Sequence, residues 1–223
     1  MHYLPLTRIQ KLVGRRMLDS KLTKPCFYIE SSADVTELMA VRPRLRKSLG
    51  VRITTNAFYI RALGVAAQRY PLVTGRFDGD TIRLADAINV GFAVNAPQGL
   101  MVPVVKNACD KTLAEIAQEE QRLTDKARDN QLTLEDIEGE TIALSNLGAY
   151  GVDSFLGIVP PPASAILAVG NVVPAVLCPN DRMTVHKMVS LSLATDHRVA
   201  DPVYAAQFLG FIKEKLQDPQ QLI

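Results

Sequence analysis

The stretch Val189-Ser190-Leu191-Ser192-Leu193-Ala194-Thr195-Asp196-His197-Arg198-Val199-Ala200-Asp201-Pro202 constrains the fold more than any other. Its first half alternates apolar and small polar residues, the period-two signature of a strand. Beyond Pro202, the residues Ala205, Phe208, Leu209, Ile212 and Leu216 recur at helical spacing. Asp201 suits an N-cap, and Pro202 sits at the first helical position, where a missing N–H costs nothing. The sequence therefore predicts an imidazole, His197, held in a charged turn between a strand end and a helix start. A turn histidine with ordinary hydrogen bonds fits this pattern as well as a general base does, and only geometry separates the two.

The rest of the chain reads as one α/β domain. Ile9, Leu12, Val13 and Met17 share one face of an amphipathic helix over residues 7–22, stopped near Lys24-Pro25. Cys26 to Glu30 reads as a strand, and Asp34 opens a second helix. Thr54 to Tyr70 is apolar nearly all round, which marks a buried helix ended by Pro71. The Asp78-Gly79 pair signals a hairpin. Ile88 to Asn95 and Leu100 to Val105 read as strands around a Pro97-Gln98-Gly99 turn. Thr112 and Thr133 each start a capping box, the first of a long helix to about Asp129, the second of a short one. Thr141 to Asn146 and Ala165 to Val173 are further strands, joined by a loop that Gly148, Gly151, Gly157 and Pro160-Pro161-Pro162 make irregular. Hairpins and helices mix, and no glycine-rich phosphate loop follows a first strand, so the sheet is not doubly wound.

At 223 residues one large domain with a substantial core is expected over 1–223. A net charge of +2, without a basic run interleaved with aromatics, gives no argument for nucleic acid. No apolar run reaches membrane-spanning length, and the N-terminus lacks a signal-peptide core. Cys26, Cys109 and Cys178 are an odd, widely spaced set that fits reduced thiols in a cytoplasmic or organellar protein. His2, His186 and His197 lack ligand spacing, so no metal is expected.

Asp196-His197-Arg198-x-x-Asp201 after a Ser-Leu-Ser-Leu strand resembles the active-site signature of the acyltransferase component of 2-oxo acid dehydrogenase complexes. Chloramphenicol acetyltransferases share that fold and carry a His-x-x-x-Asp version of the signature. The likeness extends over the whole chain. Leu6-Thr7-x-Ile9-x-Lys11 to Arg16-Met17 resembles the family's opening helix, and Asp34-Val35-Thr36-Glu37-Leu38 its next segment. Gly99-Leu100-Met101-Val102-Pro103-Val104-Val105 resembles its substrate-channel strand, and Leu113-Ala114-Glu115-Ile116 the helix after it. Ser145-Asn146-Leu147-Gly148-x-Tyr150-Gly151-Val152-Asp153-Ser154-Phe155 is similar to its serine loop. Pro161-Pro162-x-x-Ala165-Ile166-Leu167 and Asp218-Pro219-x-x-Leu222 resemble its later turn and tail.

The resemblance implies a two-layer α+β fold of the chloramphenicol acetyltransferase type, a mixed sheet flanked by helices. It also implies a homotrimer whose active-site channel lies between subunits, His197 coming from one and Ser145 from its neighbour. The implied reaction moves an acyl group, acetyl favoured on the Ser-Asn-Leu-Gly loop, between a dihydrolipoyl thiol and CoA. His197 would deprotonate the CoA thiol, and the Ser145 hydroxyl would donate to the oxyanion. Asp201 would orient the histidine or tie the turn by a salt bridge, beside its capping role. The family's trimers build cubic or dodecahedral cores that work with lipoyl domains, a decarboxylase and a dihydrolipoyl dehydrogenase, in the cytoplasm or, in eukaryotes, the mitochondrial matrix. Its lipoyl and peripheral-subunit-binding domains normally precede this one and have no counterpart in these 223 residues. Five positions depart from the family pattern. Pro202 stands for a usual Gly, Gln10 for Arg, Asn95 for Asp, Pro160 for Asn and Ala163 for Gln. They cluster around the implied channel and bear on substrate choice and the degree of activity. Two other readings stay open: a catalytically degraded scaffold of the same fold, and a small-molecule acetyltransferase of the chloramphenicol type.

Overall fold

A computed structural model describes residues 3–178 and 181–223; His2 lies outside them. The chain opens with α1 (Arg8–Thr23), β1 (Cys26–Asp34), α2 (Thr36–Leu49) and α3 (Thr55–Arg69). A small hairpin of β2 (Arg76–Asp78) and β3 (Thr81–Arg83) follows. Four short strands come next: β4 (Val90–Phe92), β5 (Val94–Ala96), β6 (Gly99–Met101) and β7 (Val104–Val105). Then come α4 (Leu113–Arg128), the single turn α5 (Leu134–Ile137), β8 (Ile142–Asn146), β9 (Ala165–Leu177), β10 (Thr184–Asp196) and α6 (Pro202–Gln217).

Among the described residues the main sheet has six strands in the order β1-β10-β9-β8-β4-β7. β8 runs parallel to both β9 and β4, and the remaining pairs are antiparallel. The sheet is mixed, as the resemblance implies. Its two faces differ. Ile142, Leu144, Leu167, Leu191 and Leu193 point into the main core with α3 and α6. Ala143, Ile166 and Ala194 point the other way, into a smaller cluster with Val159 and Ala163. All five apolar positions expected to anchor α6 are buried. Phe208, Leu209, Ile212 and Leu216 each contribute about 1.5–3 kcal/mol when fully buried, so this helix is held firmly to the sheet. Asp201 accepts a hydrogen bond from Tyr204 N at 2.8 Å as its N-cap, and Pro202 occupies the first turn. The boxes at Thr112 and Thr133 both form.

Four local expectations are corrected. The strands expected over 88–95 and 100–105 each break in two, because the chain leaves the main sheet to form the small β5–β6 pair. Pro103, at the second break, offers only its carbonyl, which accepts from Phe92 N at 2.9 Å; without an N–H it cannot carry the ladder on. Asp34 ends β1 instead of opening α2, and its carboxylate accepts from Thr36 N (2.9 Å) and Thr36 Oγ1 (2.6 Å). β9 and β10 run much further than the alternation at 165–173 and 189–195 suggests, and their far ends expose Val176 and Val185. Finally, the apolar stripe of α1 does not dock into a core. Ile9, Leu12 and Val13 remain exposed, and Ser20 is the helix's buried residue.

Candidate active site

His197 follows the last residue of β10. Asp196 fixes the turn that carries it. The Asp196 carboxylate accepts from Arg198 Nε (3.0 Å), Nη2 (2.6 Å) and backbone N (3.1 Å), while its carbonyl accepts from Val199 N and Ala200 N. Burial would push this carboxyl up, but the Arg198 hydrogen bonds and the Arg198 and Lys24 charges outweigh it and hold it below its usual value. The Arg198 guanidinium lies over the Phe77 ring, 4.5 Å from its centroid, which ties the β2–β3 hairpin to the turn. His197 N donates to the Pro25 carbonyl at 3.1 Å. Its exposed imidazole meets the edge of Phe27, with centroids 5.3 Å apart and planes at 68°. Neither ring nitrogen has a hydrogen-bond partner among the described residues, so both are open to a substrate.

Among the described residues the salt bridge of the turn is Asp196–Arg198. Asp201 caps α6, with φ −77° and ψ 166°, the extended conformation that a following proline imposes. Among the described residues no hydrogen bond or ion pair joins its carboxylate to His197.

Ser145 sits near the end of β8, on the face opposite the main core. Its hydroxyl has no hydrogen bond among the described residues, and it opens into a cavity of about 460 Å³. Ala143 and Ile166 floor that cavity, the exposed stripe of α1 roofs it, and Met101 and Phe155 wall it. Toward its other end Glu140, buried, lies 3.5 Å from Arg16 Nη2; Arg16 also donates to the Pro161 carbonyl. Burial pushes the Glu140 carboxyl up, against the charges of Arg16, Arg76 and Lys106. The cavity is otherwise apolar, which suits a thioester-bearing aliphatic arm better than a charged ligand.

The two candidate groups do not meet within one chain. Ser145 pairs with Ala168, and Ala168 with Ser192, so all three lie in one row across the sheet. His197 stands five residues beyond Ser192 and two strands from β8, on the order of 20 Å from Ser145 at ordinary strand rise and spacing. No thioester bridges that gap.

Several of the family departures have local roles. Gln10 completes a capping box with Thr7, accepting from Thr7 N at 2.9 Å. The Asn95 amide reaches the Tyr150 hydroxyl at 3.5 Å. The Ala163 carbonyl accepts from Lys24 Nζ, and Pro160 lines the cavity. The bracing role of Asp196 is not among the sequence expectations, although its spacing of two from Arg198 in a turn is a usable signal. The Arg16–Glu140 contact is a tertiary event without any local pattern.

Known proteins bear on this arrangement. The family 2-oxoacid dehydrogenases acyltransferase (catalytic domain) matches residues 2–223. The chain is 34% identical over 223 residues to the dihydrolipoyllysine-residue acetyltransferase component of the Rickettsia felis pyruvate dehydrogenase complex, covering 98% of this chain and 54% of that protein. It is also 34% identical over 219 residues to the lipoamide acyltransferase component of the Bacillus subtilis branched-chain alpha-keto acid dehydrogenase complex, covering 96% and 52%. The chain thus spans about half the length of the curated relatives it matches. Among solved structures, Azotobacter vinelandii dihydrolipoamide acetyltransferase superposes with a TM-score of 0.95 at 30% identity, covering 100% of this chain and 93% of that one. That structure belongs to a study of the catalytic roles of a serine, a histidine and an asparagine. A chloramphenicol acetyltransferase superposes at 0.52 with 15% identity, covering 92% of each chain, a likeness of fold alone. The chain belongs to the family of 2-oxoacid dehydrogenase acyltransferase catalytic domains.

Proposed function

We propose that this domain moves an acyl group between a dihydrolipoyl thiol and CoA, as the core of a 2-oxo acid dehydrogenase complex. One observation carries the assignment of residues. The serine, histidine and asparagine studied in the Azotobacter enzyme are separated by 52 and then 4 positions. Ser145, His197 and Asp201 stand at the same separations here. In this reading His197 takes the proton from the CoA thiol, since the thiolate is the nucleophile. The thiolate attacks the thioester carbonyl carbon of the acyl-dihydrolipoyl group. The carbonyl oxygen becomes an oxyanion, which accepts a hydrogen bond from the Ser145 hydroxyl. The intermediate collapses, the bond to the dihydrolipoyl sulfur breaks, and that sulfur recovers the proton from His197. Asp201, where the relative has asparagine, holds the start of α6 and through it the turn. No acyl-enzyme is needed.

The gap of about 20 Å between His197 and Ser145 supports an active site completed by a second copy, hence the homotrimer. The exposed apolar stripe of α1 beside the cavity supports such an assembly too. A solved cubic core of a pyruvate dehydrogenase complex, with a TM-score of 0.95 to this chain, supports a larger core built from trimers. Lipoyl domains would then be the acyl donors, with the decarboxylase and dihydrolipoyl dehydrogenase components as neighbours. Among the described residues no helix is long and apolar enough to cross a membrane, and the reading places the domain in the cytoplasm. Acetyl is favoured on the Rickettsia relative, but the branched-chain relative is equally identical. The assay that separates these is direct. Acetyl-, succinyl- and isobutyryl-CoA are offered with dihydrolipoamide, beside acetyl-CoA with chloramphenicol. Acetyl transfer to dihydrolipoamide alone is the expected result. Transfer to chloramphenicol, or no transfer at all, overturns the reading in favour of a small-molecule enzyme or a scaffold.

A further inference from the structure

Behind Ser145, on the main-core side of the serine loop, lies a chain of polar groups that no step above uses. Asn146 follows Ser145, and its side-chain carbonyl accepts from Gly148 N at 2.9 Å. That bond closes a tight turn immediately after the serine. A Cβ at Gly148 would lie 2.6 Å from the Gly170 carbonyl oxygen, so the loop has no room to drift on that side. The Asn146 amide group donates to Asn56 Oδ1 at 2.8 Å. Asn56 stands in the first turn of α3, and its own amide group is left to donate onward. On that side stands Glu120, a residue of α4 that is 6% exposed and whose carboxyl Asn56 favours in its charged form. Glu120 Oε2 also accepts from Thr54 Oγ1 at 2.6 Å, whose oxygen accepts from Ala57 N at 3.0 Å as the cap of α3.

The order of donors and acceptors in this chain is set from one end. An amide side chain can turn over and exchange its donor for its acceptor; an ionised carboxylate only accepts. With Thr54 committed as a donor to it, Glu120 requires the amide group of Asn56. That turns the Asn56 carbonyl toward Asn146, and thereby the Asn146 carbonyl toward Gly148 N. Burial pushes the Glu120 carboxyl up, against the Thr54 hydrogen bond, the Arg52 charge and the Asn56 amide. A polar network that is satisfied throughout specifies one arrangement of its surroundings. A buried carboxyl is an expensive way to fill a place on the inner face of α4, where its neighbours Ile116, Ala117 and Leu123 are apolar.

We propose that Glu120, Asn56 and Asn146 form a relay whose function is to hold Ser145 in the position from which its hydroxyl meets the oxyanion. The relay rests on the reading of Ser145 given above. All three are positioning residues: none faces the cavity where the thioester would lie. The proposal explains why two amides and a carboxylate occupy the junction of α3, α4 and β8.

The test measures kcat and KM for acetyl transfer between CoA and dihydrolipoamide. Asn56→Ala, Glu120→Leu and Glu120→Gln are made, each alone and each combined with Ser145→Ala. Asn56 is half-buried at a helix start, and alanine suits a helix, so that variant keeps the fold even if Glu120→Leu does not. Asn56→Ala and Glu120→Leu are expected to lower kcat by about 10- to 100-fold, the scale of a small misplacement of a catalytic group. KM for both substrates should stay unchanged. Glu120→Gln, which keeps an accepting oxygen, should recover most of the loss. In the Ser145→Ala background the losses should vanish, because the group they position is gone. Losses that multiply with that of Ser145→Ala, losses confined to KM, or a glutamine no better than leucine all overturn the relay and leave the role of Ser145 standing. A fully active Ser145→Ala protein overturns the reading of Ser145 itself, and the relay with it.

Discussion

The two halves of the site are built on different principles. The His197 turn is fixed within its own chain. It has a three-point bond between Asp196 and Arg198, a backbone anchor to Pro25, a cation over Phe77 and a capped helix immediately after it. The Ser145 end is held from behind but open in front. Its hydroxyl has no bond among the described residues, its cavity is apolar, and the helix above leaves Leu12 58% exposed. One half presents a rigid titratable group to solvent, and the other a donor at the end of an uncovered groove. On the proposed function, the contrast is that of two half-sites on a single copy, each of which a neighbour would complete.

The largest expected effect breaks the histidine half. His197→Ala should lower kcat by about 10²–10⁴, the range for a lost general base, with melting and assembly unchanged, because the turn is tied by Asp196 and not by the imidazole. Steady-state kinetics beside sedimentation check both parts; near-normal turnover sinks the mechanism. Breaking the serine half comes next. Ser145→Ala should cost about 10²–10³ in kcat, as for a lost oxyanion donor. A loss seen in KM alone would show that the serine only shapes the groove.

The contrast in rigidity is sharpened by Asp196→Asn. Loss of charge-assisted bonds to Arg198 should cost about 1.5–3 kcal/mol of stability, read as a shift of the urea midpoint at pH 7. The sign of its pH dependence follows from the pair. Folding lowers the Asp196 pKa from 3.8, so the contribution is fully present above that value and is lost as the pH falls through the lower folded value. The difference between wild type and variant should therefore shrink below about pH 4. A difference that stays constant from pH 7 to 3 contradicts the ion pair. The smallest effect belongs to Pro202→Gly. It should change stability by less than about 1 kcal/mol and leave activity equal or higher, since Asp201 caps α6 in either case. Activity that collapses in that variant would show the proline's rigidity to be part of the site.

Legibility from the sequence followed locality. Features decided by neighbours along the chain were readable: the five buried residues of α6, the cap at Asp201, and the boxes at Thr112 and Thr133. So was the mixed sheet, through the resemblance of the serine loop and the histidine turn to a known family. Features decided across the fold were not. The breaks around Ala93 and Pro103 depend on a second small sheet drawing the chain away. The full length of β9 and β10 is set by their pairing with each other, where exposed positions need no alternation. The Arg16–Glu140 contact and the Glu120–Asn56–Asn146 relay join residues far apart in sequence, and only folding brings them together. The α1 stripe was legible as apolar, but its exposure was not, and in the proposed assembly its reason lies in a neighbouring copy.

That reason is the central claim, and mixing inactive chains tests it. His197→Ala chains still carry Ser145, and Ser145→Ala chains still carry His197. Each alone should be inactive. Unfolded together in equal amounts and reassembled, they should regain about a quarter of wild-type acetyl transfer, since in a ring with head-to-tail interfaces about one site in four receives an intact histidine from one copy and an intact serine from the next. A mixture no more active than the average of its two components would contradict the shared site.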